Sequence, residues 1–142
     1  MKKCSDVMTE SLIYSSPEDT VSHVAQLMKT EDIGPVLIID NEESKRLVGI
    51  VTDRDLALKV VAEGRDPQTT KVEEVMTRKV VTCRADDDVE SAMKAMAQYQ
   101  LRRIPVVDND DRLVGIISQA DVATRVGEPE KTAEVVKEIS QS

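Results

Sequence analysis

Apolar residues recur at helical spacing in two well-separated stretches of the chain. Five positions share one phase in each stretch: Val21, Val24, Ala25, Leu27 and Met28 in the first, and Val89, Ala92, Met93, Ala95 and Met96 in the second. Spacings of three and four residues place such side chains on one face of a helix. The pattern therefore predicts two equivalent amphipathic helices, 68 residues apart. Asp19 or Thr20 can cap the first, and Ser16 before Pro17 is the alternative start.

Short continuous apolar runs follow each of these helices. They lie at residues 36–39 and 47–51 in the first stretch and at 104–107 and 113–117 in the second. Polar turns bound them, which is typical of buried strands. A shorter apolar run at 12–14 and at 80–81 predicts a strand before each helix, and a second helix is expected at 53–62 and 119–126. In the helix expected at 53–62, the side chains that should face inward are Leu56, Ala57, Val60 and Val61. The order β-α-β-β-α thus occurs twice.

Sequence identities show that the two stretches are copies. Val7-Met8-Thr9 returns as Val75-Met76-Thr77, and residues 47–50 return as 113–116. We place repeat 1 at 7–62, a connector at 63–74, repeat 2 at 75–126 and a charged tail at 127–142. Each repeat is near the lower size limit for a lone core. We therefore expect a mixed α/β (α+β) fold in which both repeats pack about a pseudo-two-fold axis.

Composition narrows the range of functions. The net charge is −8, and the only aromatic residues are Tyr14 and Tyr99, which argues against nucleic acid as a partner. No run is long enough to span a membrane, and no signal peptide is evident, so we expect a cytoplasmic protein. Cys4 and Cys83 are expected to be free thiols, with a disulfide between them as the alternative. His23 is the only histidine, and it forms neither a metal site nor a nucleophile–base pair with them.

A glycine, two aliphatic residues, a hydroxyl residue and an aspartate end the last strand of each repeat. The hydroxyl and carboxyl residues are Thr52 and Asp55 in repeat 1, and Ser118 and Asp121 in repeat 2. A hydroxyl beside free backbone N–H groups can bind a phosphate, and an ionised aspartate can accept from both hydroxyls of a ribose. The same spacing also makes a helix cap. A nucleotide site and a capping motif therefore both remain open at this point.

These motifs, together with the Val-Met-Thr openings and the segment 103–108, resemble the cystathionine β-synthase (CBS) domain family. The chain is similar to stand-alone tandem pairs, called Bateman modules, and the segment 52–55 resembles small bacterial proteins of the hypoxic-response type. The resemblance covers about residues 7–126. It implies two clefts, an adenosine derivative such as AMP, ADP, ATP, S-adenosylmethionine or NAD as ligand, and a homodimer.

The resemblance also implies which residues form each cleft, because both repeats contribute to each one in that family. Cleft A joins Thr52, Arg54 and Asp55 to Val80, Val81, Arg102 and Arg103, with the aliphatic residues at the adenine and the arginines at phosphate. Cleft B joins Ser118 and Asp121 to Leu12, Ile13, Gly34 and Pro35. Since Gly34-Pro35 stands where the other repeat has Arg102-Arg103, we expect the tighter site at cleft A. The alternative role of the arginine pair is a solvated, salt-bridged surface.

We therefore expect a regulatory module that senses an adenosine-containing ligand, without a covalent cofactor or bound metal and without catalysis. It would act on an unidentified effector protein. The alternative is a structural dimerisation module that binds no nucleotide and whose hydroxyl–aspartate motifs are helix caps.

Overall fold

The computed structural model describes residues 2–125, and they form two compact units. The continuous unit is one stretch of chain, residues 13–80. The split unit combines residues 2–12 with residues from 81 onward. The charged tail predicted at 127–142 lies outside the described residues.

Each unit contains a three-stranded sheet. In the continuous unit the elements are β1 (Tyr14–Ser15), α2 (Val21–Glu31), β2 (Val36–Ile39), β3 (Leu47–Val51) and α3 (Asp53–Leu56), followed by a π-helical turn (Ala57–Val61) and a 3-10 turn (Val72–Glu74). In the split unit they are α1 (Cys4–Val7), β4 (Cys83–Arg84), α4 (Val89–Tyr99), β5 (Arg103–Val107), β6 (Leu113–Ser118) and α5 (Gln119–Arg125). The middle strand pairs parallel to the first and antiparallel to the third in both sheets. The predicted order β-α-β-β-α is confirmed in each unit.

The amphipathic helices α2 and α4 have the same kinds of cap: a side-chain acceptor at the N-cap residue and a left-handed residue at the end. The Thr20 hydroxyl accepts a hydrogen bond from His23 N at 3.2 Å, and the Asp88 carboxylate accepts one from Glu90 N at 3.0 Å. These caps satisfy N–H groups that the first turn leaves unpaired. Both helices end at a left-handed residue, Asp32 with φ 53° and Gln100 with φ 54°. Of the capping residues predicted for α2, Thr20 is the one that forms the N-cap.

The predicted apolar helix faces pack into the cores. Val21, Val24, Val89, Ala92, Met93 and Met96 are buried, and Leu27 and Met28 pack against the core while partly exposed. Ala25 is exposed although Met93, its equivalent, is buried. The shared helical phase therefore located the core correctly at most of its positions.

The short first strands lie further along the chain than predicted. β1 begins at Tyr14 rather than at residue 12, and β4 begins at Cys83 rather than at residue 80. Leu12, Ile13, Val80 and Val81 are half-buried in irregular backbone. An apolar run reports burial, whereas a strand also requires pairing, and parallel pairing starts only at Tyr14 with Leu37 and at Cys83 with Val106.

The second helix of repeat 1 is not a regular α-helix. After Leu56 it continues as a π-helical turn, in which Ala62 N donates to Ala57 O at 2.9 Å. This wider turn breaks the 3.6-residue period on which the predicted inward face rested. Val60 is buried and Leu56 half-buried, but Ala57 is exposed and Val61 is 76% exposed. The prediction was wrong for Ala57 and Val61.

The Val-Met-Thr openings pair with the strand of the other repeat. Thr9 forms two backbone hydrogen bonds with Ile116 in β6, and Thr77 forms two with Ile50 in β3. Each compact unit therefore combines the opening of one sequence repeat with the body of the other. The boundaries 7–62 and 75–126 describe the repeat in sequence, but the chain passes between units after Leu12 and after Val80. Part of the predicted connector also belongs to the continuous unit, because Val72 is fully buried in its core.

A methionine in each opening packs on the glycine of the strand it joins. A Cβ atom at Gly49 would lie 2.8 Å from Met76 Sδ and 3.0 Å from Thr77 O. A Cβ atom at Gly115 would lie 2.7 Å from Met8 Cγ. Such distances are shorter than van der Waals contact, so a side chain at either position would displace the methionine, and at Gly49 it would also press on the Thr77 carbonyl. This contact joins two features that the sequence presents separately: the repeated openings and the glycine before each hydroxyl–aspartate motif.

Candidate functional site

The hydroxyl–aspartate motif of repeat 1 lies where β3 gives way to α3. The Thr52 hydroxyl accepts from Asp55 N at 3.1 Å, and the Asp55 carboxylate accepts from Thr52 N at 2.9 Å. This is a reciprocal capping box. The other carboxylate oxygen of Asp55 forms an ion pair with Lys59 at 3.2 Å. Lys59 is itself anchored, because its ammonium donates to Val75 O at 2.9 Å.

The equivalent motif of repeat 2 lies between β6 and α5 and is more heavily bonded. Asp121 accepts from Ser118 N at 2.9 Å and from the Ser118 hydroxyl at 3.0 Å. The Thr9 hydroxyl also donates to the Asp121 carboxylate, at 3.1 and 3.3 Å from its two oxygens. Asp121 is buried, with 7% of its surface exposed.

The two motifs therefore differ in what they can still bind. A carboxylate offers about four acceptor positions. The bonds to Thr52 and Lys59 leave about two of these at Asp55, whereas those from Ser118 and Thr9 occupy most of them at Asp121. Among the described residues the Thr52 hydroxyl donates to no acceptor, while the Ser118 hydroxyl donates to Asp121.

The candidate arginines are exposed. Arg54 lies in the first turn of α3, and Arg103 begins β5 opposite Ser118. The carbonyl of Arg102 accepts from Gln119 N at 2.9 Å. Within residues 2–125 none of these three guanidinium groups forms an ion pair. The alternative of a salt-bridged arginine pair therefore finds no partner in this part of the chain.

The remaining predicted site residues are distributed over both units. Ile13, Gly34, Pro35 and Val80 lie in the continuous unit with Thr52, Arg54 and Asp55, whereas Leu12 and Val81 lie in the split unit with Arg102, Arg103, Ser118 and Asp121. In the continuous unit a Cβ atom at Gly34 would lie 3.6 Å from the Asp53 carboxylate, so the start of β2 is close to the motif. Each predicted cleft draws residues from both units, and its assembly stays a prediction.

Two residues that contact the motifs were not predicted. Thr9 belongs to a repeated opening, but its contact with Asp121 spans 112 residues, and nothing local in the sequence indicates it. Lys59 could have been found, because it lies four residues after Asp55, a spacing that brings opposite charges together on a helix.

A separate cavity of about 240 Å³ lies at the other end of the continuous unit's sheet. It is lined by Tyr14, Ser15, Ser16, Asp19, His23, Ile39, Asn41 and Glu42. Burial acts to raise the pKa of Asp19, but hydrogen bonds from the Ser15 hydroxyl and Ser16 N, with His23 nearby, hold that pKa below its usual value. No predicted site residue lines this cavity.

The described residues present neither a metal cluster nor a membrane span. Between residues 2 and 125, no group of three or more His, Cys, Asp or Glu side chains is placed to hold a metal ion. None of the helices in that range has the length and apolar character needed to cross a bilayer.

Similar proteins share both the sequence and the fold. CBS domain-containing protein YhcV of Bacillus subtilis is 37% identical over 140 residues, covering 99% of this chain and 96% of that protein. Hypoxic response protein 1 of Mycobacterium tuberculosis is 32% identical over 128 residues, covering 90% of this chain and 87% of that protein. A crystal structure of Hypoxic Response Protein I with two coordinated zinc ions matches with a TM-score of 0.75 at 31% identity, over 87% of this chain and 98% of that one.

A second solved structure contains adenosine-type ligands. The CBS domain pair of protein MJ0100, in complex with 5′-methylthioadenosine and S-adenosyl-L-methionine, matches with a TM-score of 0.70 at 28% identity, over 89% of this chain and 97% of that one. The family model for the CBS domain matches residues 4–62 and 72–128. These matches confirm the resemblance drawn from the repeated motifs: the chain belongs to the CBS domain family and carries two copies of that domain.

Proposed function

We propose that the protein is a regulatory module that binds an adenosine-containing small molecule at Thr52 and Asp55. The observation that carries this proposal is their remaining bonding capacity: Thr52 keeps a hydroxyl proton, and Asp55 keeps about two acceptor positions. A donor beside an acceptor-only carboxylate suits the phosphate and the paired ribose hydroxyls of a nucleotide.

The arginines that the sequence predicts for cleft A support a phosphorylated ligand. Arg54 is exposed one residue from Asp55, and Arg102 and Arg103 are exposed cations without ion pairs in the described part of the chain. Guanidinium groups bind phosphate through planar pairs of N–H donors. AMP, ADP, ATP and NAD carry phosphate, whereas S-adenosylmethionine, found on MJ0100, would use the ribose contact alone.

The motif of repeat 2 is proposed to bind more weakly. Thr9 and Ser118 already donate to Asp121, so a ribose would have to displace one of these bonds. Exchanging such a bond for an equal bond to a ligand gains nothing at Asp121, and it leaves the displaced hydroxyl of Thr9 or Ser118 without its acceptor, which costs free energy. The difference between the motifs therefore favours one ligand per chain.

The ligand would regulate a partner rather than react. We propose a cytoplasmic homodimer whose surface changes on binding and that acts on an effector protein. Residues 2–125 hold no group of three or more His, Cys, Asp or Glu side chains placed for a metal ion, and both cysteines are buried whereas His23 is exposed, so no catalytic group is proposed.

A structural dimerisation module is the second candidate function. Both motifs already form reciprocal bonds between hydroxyl residue and aspartate at a helix start, and this alone accounts for the residue types. Loss of such a cap costs about 0.5–2 kcal/mol of stability with or without a ligand site. Stability measurements on Thr52→Ala therefore cannot separate the two functions, whereas ligand binding can.

The deciding experiment is calorimetry and thermal shift of the whole chain with AMP, ADP, ATP, S-adenosylmethionine and NAD. A ligand at 100 times its dissociation constant should stabilise the protein by about 2.7 kcal/mol. Guanosine analogues serve as matched controls with the same ribose and phosphates. Absence of any binding at millimolar concentration would establish the structural function instead.

A further inference from the structure

Two buried thiols meet in the core of the split unit. Cys4 in α1 is fully buried and Cys83 in β4 is 5% exposed, and both belong to one apolar cluster with Val89, Met96 and Val106. The residues are 79 positions apart in sequence. They lie in the same core because the segment around Cys4 packs along residues 85–88. Cys4 N donates to Asp87 O at 2.8 Å, and Ser5 N donates to Ala85 O at 3.0 Å.

Each thiol donates a hydrogen bond to a backbone carbonyl at 3.8 Å, Cys4 to Asp88 O and Cys83 to Pro105 O. Side-chain interaction with Cys83, against the opposing effect of burial, lowers the pKa of Cys4 below its ordinary value. The same interaction, together with burial, raises the pKa of Cys83. Cys4 is therefore the candidate nucleophile of the pair.

The continuous unit builds the same local backbone without any cysteine. At positions equivalent under the 68-residue offset, Val72 stands for Cys4 and Ser15 for Cys83. Val72 N donates to Asp19 O at 2.9 Å, and Glu73 N donates to Pro17 O at 3.0 Å, matching the two bonds of Cys4 and Ser5. The packing at these two positions therefore does not require sulfur, so packing alone does not explain why both residues of the split unit are cysteines.

We propose that Cys4 and Cys83 are a reversible disulfide site that ties the N-terminal segment to the sheet of the split unit. With hydrogen peroxide as oxidant, the Cys4 thiolate attacks one peroxide oxygen and hydroxide leaves, which gives a sulfenic acid. The Cys83 sulfur then attacks the Cys4 sulfur and water leaves as the S–S bond forms. Overall, two thiols and one peroxide give one disulfide and two waters, and two electrons pass from sulfur to oxygen. Two molecules of a small thiol reduce the bond again by thiol–disulfide exchange, which restores both protein thiols and leaves the small thiol as its own disulfide.

The bond would act on a short segment that is exposed on both sides of Cys4. α1 has four residues, and Lys2, Lys3 and Ser5 beside Cys4 are exposed. Local opening of such a short segment admits the oxidant. Once formed, the bond would keep residues 2–9 on the split unit, including Thr9 and its contact with Asp121.

The test uses the whole chain, reduced and then exposed to hydrogen peroxide under native conditions. We expect a monomer mass lower by two hydrogen atoms, and a protease digest in which the Cys4 and Cys83 peptides are joined until a reductant is added. The oxidised chain should melt roughly 5–10 °C higher, because the bond closes a long loop of the unfolded chain. Amide exchange at Ser5 and Thr9 should slow.

The continuous unit supplies the control variants. Cys4→Val and Cys83→Ser copy residues that it carries at the equivalent positions, so each should fold while lacking one thiol. Neither should show a melting shift with peroxide. The proposal is overturned if the parent chain gains oxygen without losing both thiols, if it forms disulfides only between chains, or if its thiols react only after denaturation.

Discussion

Two aspartates at equivalent repeat positions carry different hydrogen-bond partners, and this difference leads to the first prediction. Asp55→Ala should weaken nucleotide binding by about 1–3 kcal/mol, because the ribose hydroxyls lose a charged acceptor. Asp121→Ala should weaken it less, since Thr9 and Ser118 already occupy that carboxylate. Titration calorimetry on both variants measures the difference. Asp55→Asn, which keeps an oxygen for the helix cap, controls for local unfolding of α3. A larger loss at Asp121 would reverse the assignment.

The Thr9 hydroxyl limits the acceptor capacity of Asp121, and removing it tests this. Thr9→Val keeps the side-chain shape and removes the hydroxyl that donates to Asp121. Two acceptor positions are thereby released, so a second and weaker binding event should appear in calorimetry. Thr77→Val is the matched control, because Thr77 is the equivalent residue and is exposed. Unchanged stoichiometry in Thr9→Val would show that Thr9 does not limit this motif.

Single residues were predictable where the chemistry is local. The pairs Thr52–Asp55 and Ser118–Asp121 could be singled out from spacing alone, and the structure places each pair in hydrogen-bond contact. The sequence could not show which aspartate retains acceptor capacity. That depends on Thr9, a residue far away in the chain, and on the orientation of Lys59.

At the scale of elements, the openings and last strands are coupled through methionine and glycine. Gly115→Ala should destabilise the fold by about 1–3 kcal/mol, because the added methyl group overlaps the Met8 side chain. Met8→Ala in the same chain should recover much of this loss. Gly49→Ala should be recovered less by Met76→Ala, since the Thr77 carbonyl oxygen also lies 3.0 Å from the new atom. Double-mutant cycles from urea unfolding give both coupling energies. Equal couplings would contradict the contact geometry.

The turn between β1 and α2 contributes stability that depends on pH. The folded-state pKa of Asp19 lies below its ordinary value, so its bonds to Ser15 and Ser16 stabilise the fold above the unfolded-state pKa. This stability should be lost as the pH falls through the lower folded-state value. Unfolding midpoints in urea from pH 6 downward measure the loss. Asp19→Asn should flatten this acidic decline, and an equally steep decline in that variant would exclude Asp19 as its source.

The order of helices and strands could be predicted from the apolar pattern, but the two-residue strands and the π-helical turn could not. The helices α2 and α4 have long apolar faces with a clear helical period. The strands β2 and β5 are short apolar runs, interrupted only by Arg103 and Pro105 in β5. The two-residue strands β1 and β4 depend on pairing with a distant neighbour, which no period records. The π-helical turn 57–61 changes the period itself, and this explains the exposure of Val61.

For the whole molecule we predict a homodimer. The CBS family resemblance implies pairing of two chains, and Leu58 and Val61, which leave 49% and 76% of their surface exposed on the π-helical turn, are the apolar residues that we expect to contribute to the contact. Sedimentation at micromolar concentration should give about twice the 15.7 kDa of one chain. Val61→Lys should shift the equilibrium toward monomer, whereas Gln98→Lys, an exposed change elsewhere, should not. A parent chain that sediments as a monomer would contradict the prediction.

The division of the chain between units bears on the order in which the protein can form during synthesis. The continuous unit is complete once Val80 has left the ribosome. The split unit cannot form then, because residues 2–12 have no partner until β6 and Asp121 have been made. A nascent chain therefore carries an unsatisfied leading segment through much of its translation, with Val7 and Met8 open to chaperones. Ribosome-bound intermediates stalled just after Val80 has emerged from the exit tunnel should protect residues 13–80 from protease and leave residues 2–12 accessible.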